Sequence, residues 1–516
     1  MRRELCWWTA GALAIVIASA AGAQLAPTLP PVPAVSPPAV SPIALKKSVT
    51  APVTIPKTSL LTAPSLSTGT IRSVTQDTVA VAPRLNTPLS SVSAPLLNAP
   101  LGFASAPLAT QTGSAGSATL NTRGATSAHS PRSVFYLNPG LGRLTTLSVP
   151  ATAAGAQTLL AARARRLDGL IRANPLRLDR DDLGNPVVSG RLLAIDPDAA
   201  SLKRAERSGF PVTENLNEID LGLDVVTLGV PKGMSLPDAL RRLKAAAPRL
   251  DADYDHIFEP AGGSLGASAA RLSPSSKSAR RLIGMIDGGV ADHPALAGRI
   301  AAQQGFAGPP RATGHGTAVA SLLVGQQGKF RGAANGASLL VADVYGGESA
   351  AGSASAISRA LGWLAARQPQ VINISLVGPA NELIRRAVRQ VRARGILIVA
   401  AVGNDGPAAP PQYPASYADV IAITGVDAGG VALFESGNSA HLDFAAPGAD
   451  MAAARPGQGY VRVRGTSFAS PLAAGRLATL GSLQRLAAEA RRGMGRVGRG
   501  IVCFTCRVDP VSVAAR

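Results

Sequence analysis

Between about residues 281 and 481 the chain alternates short apolar runs with amphipathic stretches. The apolar runs fall at 282–286, 338–344, 371–375, 396–402 and 420–424, and helical spacing of apolar positions occupies 317–325, 354–367 and 383–394. Runs without polar alternation predict strands covered on both faces. Strands that alternate with helices predict a doubly wound parallel sheet, for which about 200 residues supply one substantial core.

A different pattern precedes it at 185–259. Strand-like 187–195 is followed by a helical stretch at 198–208, extended 210–213, a strand at 221–230, a helix at 235–246 and a closing strand at 253–258. Ser235, with Pro237 and Asp238 behind it, marks the start of the second helix. The order β-α-β-β-α-β predicts a small α+β domain of ferredoxin-like type. A helical lead-in spans 151–184, with its amphipathic part at 159–167. Residues 260–280 are a Gly/Ser/Ala-rich linker, able to enter an active site in extended form. Residues 482–516 form a basic C-terminal tail whose last twenty or so positions look loose.

Residues 24–150 are rich in Pro, Ala, Ser, Thr and Val and keep no lasting period of 2 or 3.6. Too little patterned apolar bulk offsets the entropy of ordering, so a low-complexity spacer is expected; its scattered Val and Leu leave short strands or adhesive contacts open. At the start, Met1-Arg2-Arg3-Glu4 precedes an apolar run at 5–20 and then Ala21-Gly22-Ala23. This predicts a signal peptide at 1–23 and export to the periplasm or the extracellular space; the run is short for a membrane span.

Charge changes the picture little. The formal net charge of +20 with 4% aromatic residues favours contact with an anionic envelope surface, but no nucleic-acid motif accompanies it, so dedicated nucleic-acid binding is not expected. Loss of the leader would remove Cys6 and leave Cys503-Phe504-Thr505-Cys506. In an exported chain that pair can close a small loop, and the lack of a second pair or nearby ligand spacing argues against metal.

The candidate chemistry lies at strand ends. Gly465-Thr466-Ser467-Phe468-Ala469-Ser470-Pro471 follows strand-like 460–463 and opens a helix, which puts the Ser467 hydroxyl over the lip of a sheet. A hydroxyl needs an imidazole to take its proton. Among five histidines, only His315, in Gly314-His315-Gly316-Thr317, opens a packed helix with glycines on both sides. Asp287 ends the apolar run 282–286, where it can hold that imidazole, and Asn404 ends the run 396–402, where an amide can donate to a developing oxyanion.

These segments, together with Ile286-Asp287-Gly288-Gly289-Val290, resemble the subtilisin-like serine proteases, the subtilases, in which the acid, base and nucleophile follow one another in that order. The resemblance implies a catalytic domain at 281–481 of subtilisin-like fold, a triad of Asp287, His315 and Ser467, and an oxyanion hole of Asn404 with the Ser467 N–H. It implies that Ser375, Leu376, Val377 and Gly378 pair with an extended peptide, and that Ala400, Ala401, Val402 and Gly403 line the opposite wall. The small residues there suggest an open pocket for uncharged side chains. It further implies that 185–259 is an inhibitory propeptide whose C-terminal tail blocks the cleft. The expected protein is a secreted serine endopeptidase acting on polypeptides, made as a self-processing precursor, with no required cofactor and calcium left open. The alternative is a catalytically weak envelope-binding or structural protein of the same fold. Two departures stand out: Gly288 replaces the usual hydroxyl residue after the aspartate, and Phe468 replaces the usual methionine after the serine, with an expected change in core packing.

Overall fold

The computed structural model describes residues 132–138, 143–149, 151–216, 220–261 and 281–515, the first two segments as backbone only. The signal peptide and most of the spacer and linker lie outside the described residues. Within the spacer, Arg132–Asn138 and Arg143–Val149 pair as an antiparallel hairpin.

A lead-in helix, α1 (Ala153–Ala173), opens the described side-chain structure; the Thr152 hydroxyl caps it by accepting from Gly155 N. A five-stranded antiparallel sheet follows. It comprises β1 (Leu178–Arg180), β2 (Pro186–Ile195), β3 (Val212–Asn215), β4 (Val225–Gly229) and β5 (Asp251–His256), with helices α2 (Ala199–Arg207) and α3 (Leu236–Ala246) between strands. Strand β2 lies at the centre, pairing with β1, β4 and β5, and β3 extends the sheet beyond β4. The run Leu192-Leu193-Ala194-Ile195 sends alternate side chains to opposite faces. Leu192 and Ala194 meet α2 and α3 through Ala205, Leu236 and Leu243. Leu193 and Ile195 join the core of the next sheet.

That next sheet has seven parallel strands. They are β6 (Leu282–Asp287), β7 (Ile300–Gly305), β8 (Ser338–Asp343), β9 (Val371–Ile374), β10 (Leu397–Ala401), β11 (Ile421–Val426) and β12 (Phe444–Pro447), in the spatial order β7-β8-β6-β9-β10-β11-β12. Helices α4 (Gly314–Val324) and α7 (Thr466–Leu480) cover one face, and α5 (Ala354–Ala366) and α6 (Glu382–Ala393) cover the other. The expected alternation is present in the packing: Ile283, Met285, Leu339, Val341 and Val399 face α4 and α7, whereas Ile286, Leu340, Ile372, Ile374 and Ile398 face α5 and α6. A parallel sheet of the subtilisin-like α/β kind results, and β6 sits where the winding direction reverses, the place at which such sheets open a crevice at their carboxyl ends.

The C-terminal segment differs from the loose tail expected of it. After α8 (Leu483–Ala488) the chain turns back, and Ile501 and Val502 are buried against β12 and its neighbours, with bridges from Ala445 to Ile501 and from Val431 to Met494. Arg499 pairs with Asp443, and Cys503 and Cys506 are joined by a disulfide. Two apolar residues beside an ion pair are enough to dock a segment that is otherwise polar. No helix among the described residues is long and apolar enough to cross a membrane.

Candidate active site

Three sheet and helix ends converge at the carboxyl edge of β6, β9 and β10. Asp287 is the last residue of β6, His315 lies in the first turn of α4, and Ser467 lies in the first turn of α7. All three are buried. His315 Nδ1 donates to Asp287 Oδ1 at 2.9 Å, and Gly288 N donates to the same oxygen at 2.7 Å. That leaves Nε2 of His315, the nitrogen opposite the carboxylate, without a hydrogen-bond partner among the described residues. The Ser467 hydroxyl donates instead to the carbonyl oxygen of Ser375, at 3.3 Å.

The surroundings explain why these residues stand where they do. Thr313 caps α4, and its hydroxyl accepts from Gly316 N. A Cβ on residue 288 would lie 2.4 Å from that hydroxyl. Gly288 therefore makes room for the cap that fixes the helix bearing His315. Phe468 is buried in the core between α4 and α7, as its packing role leads one to expect, and it also sets its ring 5.5 Å from the His315 ring centre.

Asn404 follows β10 and accepts from Thr466 N through Oδ1 at 3.0 Å. Gly465, at φ 135°, lets the chain pass so close that a Cβ there would sit 2.8 Å from the Asn404 amide nitrogen. Thr466 ties the same two loops by bonds in both directions with Gly403. A further chain of bonds runs from Ser470 to Asn373 to Ser375, and Ser375 in turn donates to Ser467 O. Thr466 and Ser470 lie inside the serine motif, so their signal was in hand; Asn373 carried no signal beyond its place in a strand.

Of the proposed cleft residues, Ser375 to Gly378 form an edge that is already occupied. Glu259–Pro260 pairs antiparallel with Leu376–Val377, and Ala261 N donates to Ser375 O at 2.9 Å. Upstream, Phe258 N donates to Gly352 O, and its carbonyl accepts from Tyr345, whose hydroxyl burial holds well above its ordinary pKa and so keeps protonated. Residues 259–261 of the chain itself thus lie along the edge at Ser375 to Val377, on both sides of the boundary expected at 259. On the opposite wall, Ala400 and Val402 point into the core beneath α5 and α6, and Ala401 and Gly403 face the cleft, as strand alternation requires.

Outside the cleft, α1 reaches both sides of it. Arg166 pairs with Glu259 at 3.2 Å and with Asp405 at 2.9 Å, and Arg163 pairs with Asp405 at 3.3 Å. Leu159 packs against Gly406. The sequence held the arginines but no sign of their partners. Asp343, at the end of β8 beside Asp287, accepts from three backbone N–H groups; burial, the largest influence, pushes its carboxyl above the ordinary range. Among the described residues no group of three or more His, Cys, Asp or Glu is arranged to hold a metal.

Residues 279–490 match the Subtilase family. The chain is 34% identical over 198 residues to Subtilisin Savinase of Lederbergia lenta, covering 37% of this chain and 73% of that protein. It is also 34% identical over 198 residues to an alkaline protease of Shouchella clausii, covering 37% of this chain and 52% of the relative, about half its length. The solved structure of fervidolysin from Fervidobacterium pennivorans, described as a keratinolytic enzyme related to subtilisin, matches with a TM-score of 0.51 at 20% identity. It covers 64% of this chain and 62% of fervidolysin, and at that identity the likeness speaks for the fold alone.

Proposed function

The chain belongs to the subtilase family of subtilisin-like serine endopeptidases, and from that premise we propose that it is an exported precursor that cuts itself. The unit at 185–259 then acts as an intramolecular inhibitor of the catalytic domain at 281–481. Asp287, His315 and Ser467 carry the chemistry, and no cofactor is needed. Ser467 Oγ leaves the Ser375 carbonyl, gives its proton to His315 Nε2 and adds to the carbonyl carbon of the scissile peptide bond. Asp287 stabilises the imidazolium that forms. The oxyanion takes hydrogen bonds from Asn404 and from Ser467 N–H. His315 then returns the proton to the departing amine as the C–N bond breaks. Water attacks the resulting ester by the same route in reverse, releasing a carboxylic acid and restoring the serine.

The observation that carries this reading is the antiparallel pairing of Glu259–Pro260 with Leu376–Val377. Main-chain pairing on a sheet edge is how an extended polypeptide is held, so the segment sits as a substrate would. Its covalent attachment keeps its effective concentration at the cleft high. The Ser467→Ala precursor, made in a protease-deficient secretion host and followed by intact mass, should stay uncut while the unaltered precursor loses its N-terminal piece. Time-dependent cutting of purified Ser467→Ala at the same position would show that another protease matures the chain.

A further inference from the structure

Two atoms share one acceptor in the cleft. The Ser375 carbonyl oxygen accepts both from Ala261 N, at 2.9 Å, and from the Ser467 hydroxyl, at 3.3 Å. Ala261 is therefore the residue of the bound segment that lies next to the nucleophile. Its methyl group is sealed into a small apolar cluster with Val377 and Ala401, and Ala261 is only 3% exposed. Val377 reaches across the opening, because its Cγ1 lies 3.2 Å from where a Cβ on Gly403 would stand on the opposite wall. The pocket is thus narrower than the small residues at 400–403 suggest. Three residues upstream, the Phe258 ring is fully buried and lies flush against Gly378, where an added Cβ would come within 2.6 Å of it.

We propose that Val377 is a specificity-determining residue that limits the position before the scissile bond to alanine-sized side chains, and that the first bond cut is the one after Ala261. The assignment rests on the self-processing reading above for the site of the cut; the size limit does not. In the cut, Ser467 Oγ adds to the Ala261 carbonyl carbon and its proton passes to His315. The bond to the nitrogen of residue 262 breaks, that nitrogen receives the proton, and water hydrolyses the Ala261 ester. Substrates in trans would then be unfolded polypeptides with a small residue before the cut and an aromatic residue three positions earlier.

The mature enzyme, its active sites titrated with an organophosphonate, is assayed on two peptides that carry Phe-Glu-Pro-Ala or Phe-Glu-Pro-Phe before the scissile bond. The kcat/KM for the alanine peptide should exceed that for the phenylalanine peptide by about 10²-fold, the scale on which a filled pocket rejects a large side chain. In Val377→Gly the ratio of the two should move at least tenfold toward phenylalanine. In the full precursor, Ala261→Phe should slow processing, and adding Val377→Gly should restore it, a rescue that simple misfolding would not give. Equal cleavage of both peptides by the unaltered enzyme, or a ratio unmoved by Val377→Gly, overturns the size limit. A mature N-terminus other than Gly262 in a precursor that does cut itself overturns the site. If Ser467→Ala is still cut, self-processing fails, and the peptide ratio alone still decides the role of Val377.

Discussion

The two large sheets among the described residues are covered in different ways. The seven-stranded sheet carries its own helices on both faces, α4 and α7 on one and α5 and α6 on the other. The five-stranded sheet supplies helices for one face only and lays the other, through Leu193, Ile195, Leu223 and Val225, into the core around α5 and α6. Polar contacts reinforce that seat. Asp255, fully buried, accepts from Ser355 N at 2.9 Å and from the Ser355 hydroxyl in the first turn of α5, and pairs with Arg191. Asp253 accepts from Glu382 N at the start of α6. Strand β5 thus places one acceptor oxygen at each of two helix N-termini, whose first N–H groups have no partner within the helix. One sheet is covered on both faces by helices of its own part of the chain, and the other takes the cover of one face from its neighbour.

The sharpest way to break the comparison is to separate the two. Exposing four large apolar side chains at about 1.5–3 kcal/mol each forfeits roughly 6–12 kcal/mol, as much as the whole stability of many small domains. Residues 151–261 expressed alone should therefore lack cooperative thermal unfolding by circular dichroism, and should gain it when catalytic domain bearing Ser467→Ala is added. A cooperative transition in the isolated piece would mean that the docked face is not needed for folding.

Asp255→Ala tests the polar half of the seat. It leaves the Ser355 N–H without its acceptor and Arg191 unpaired, which costs about 1–3 kcal/mol, so inhibition by the cut piece should weaken about 10- to 100-fold. The inhibition constant against a peptide substrate reads this directly, and the catalytic domain itself should be unaffected because Asp255 belongs to the other unit.

A smaller effect is expected from Arg166→Ala. Arg166 joins the bound segment at Glu259 to the loop at Asp405 and is about 14% exposed. Partly shielded pairs of this kind contribute more than surface ones, which give roughly 0–1 kcal/mol. The cut N-terminal piece should dissociate several-fold faster, and the difference from the unaltered protein should shrink in high salt. An unchanged off-rate would leave α1 a spectator of inhibition.

The least effect concerns pH. Burial against α6 is the largest influence on Asp253 and raises its carboxyl above the ordinary value, with the nearby His256 and the N–H of Glu382 offsetting only part. Docking therefore binds a proton at Asp253. The stabilisation is complete below the carboxyl's free value of about 3.9 and is lost as pH rises through the raised value. Inhibition by the cut piece should tighten on acidification within that window, and Asp253→Asn should flatten this part of the profile. A profile that Asp253→Asn leaves unchanged would assign the dependence to another group.

Much of the fold could be read from the chain because strands buried on both faces must be apolar throughout. The runs at 282–286 and 396–402 became β6 and β10 for that reason. Edge strands escape the rule. Strand β7, with the sequence Ile-Ala-Ala-Gln-Gln-Gly, is half polar because one side has no strand to cover it, and β12 ends at Pro447, which an edge tolerates and a central strand does not. Neither was expected as a strand of the main sheet. The looseness expected of the last twenty or so residues failed for a related reason, since the docking of Ile501 and Val502 depends on a surface built by residues far away in the chain.

By itself the sequence determined what is local. A glycine-flanked histidine, an acid that closes an apolar run and a serine between Gly-Thr and a helix start each prescribe a turn and a direction, and the alternation of runs and helices brings such ends to one rim. Tertiary structure alone decided what is shared between distant segments. Only in the folded chain does the Ser375 carbonyl serve both Ala261 and Ser467, does Val377 meet the wall at Gly403, and do Asp253 and Asp255 reach helices about a hundred residues away or more. The physical reason is that periodicity reports whether a side chain is buried, and it holds no information about which partner buries it.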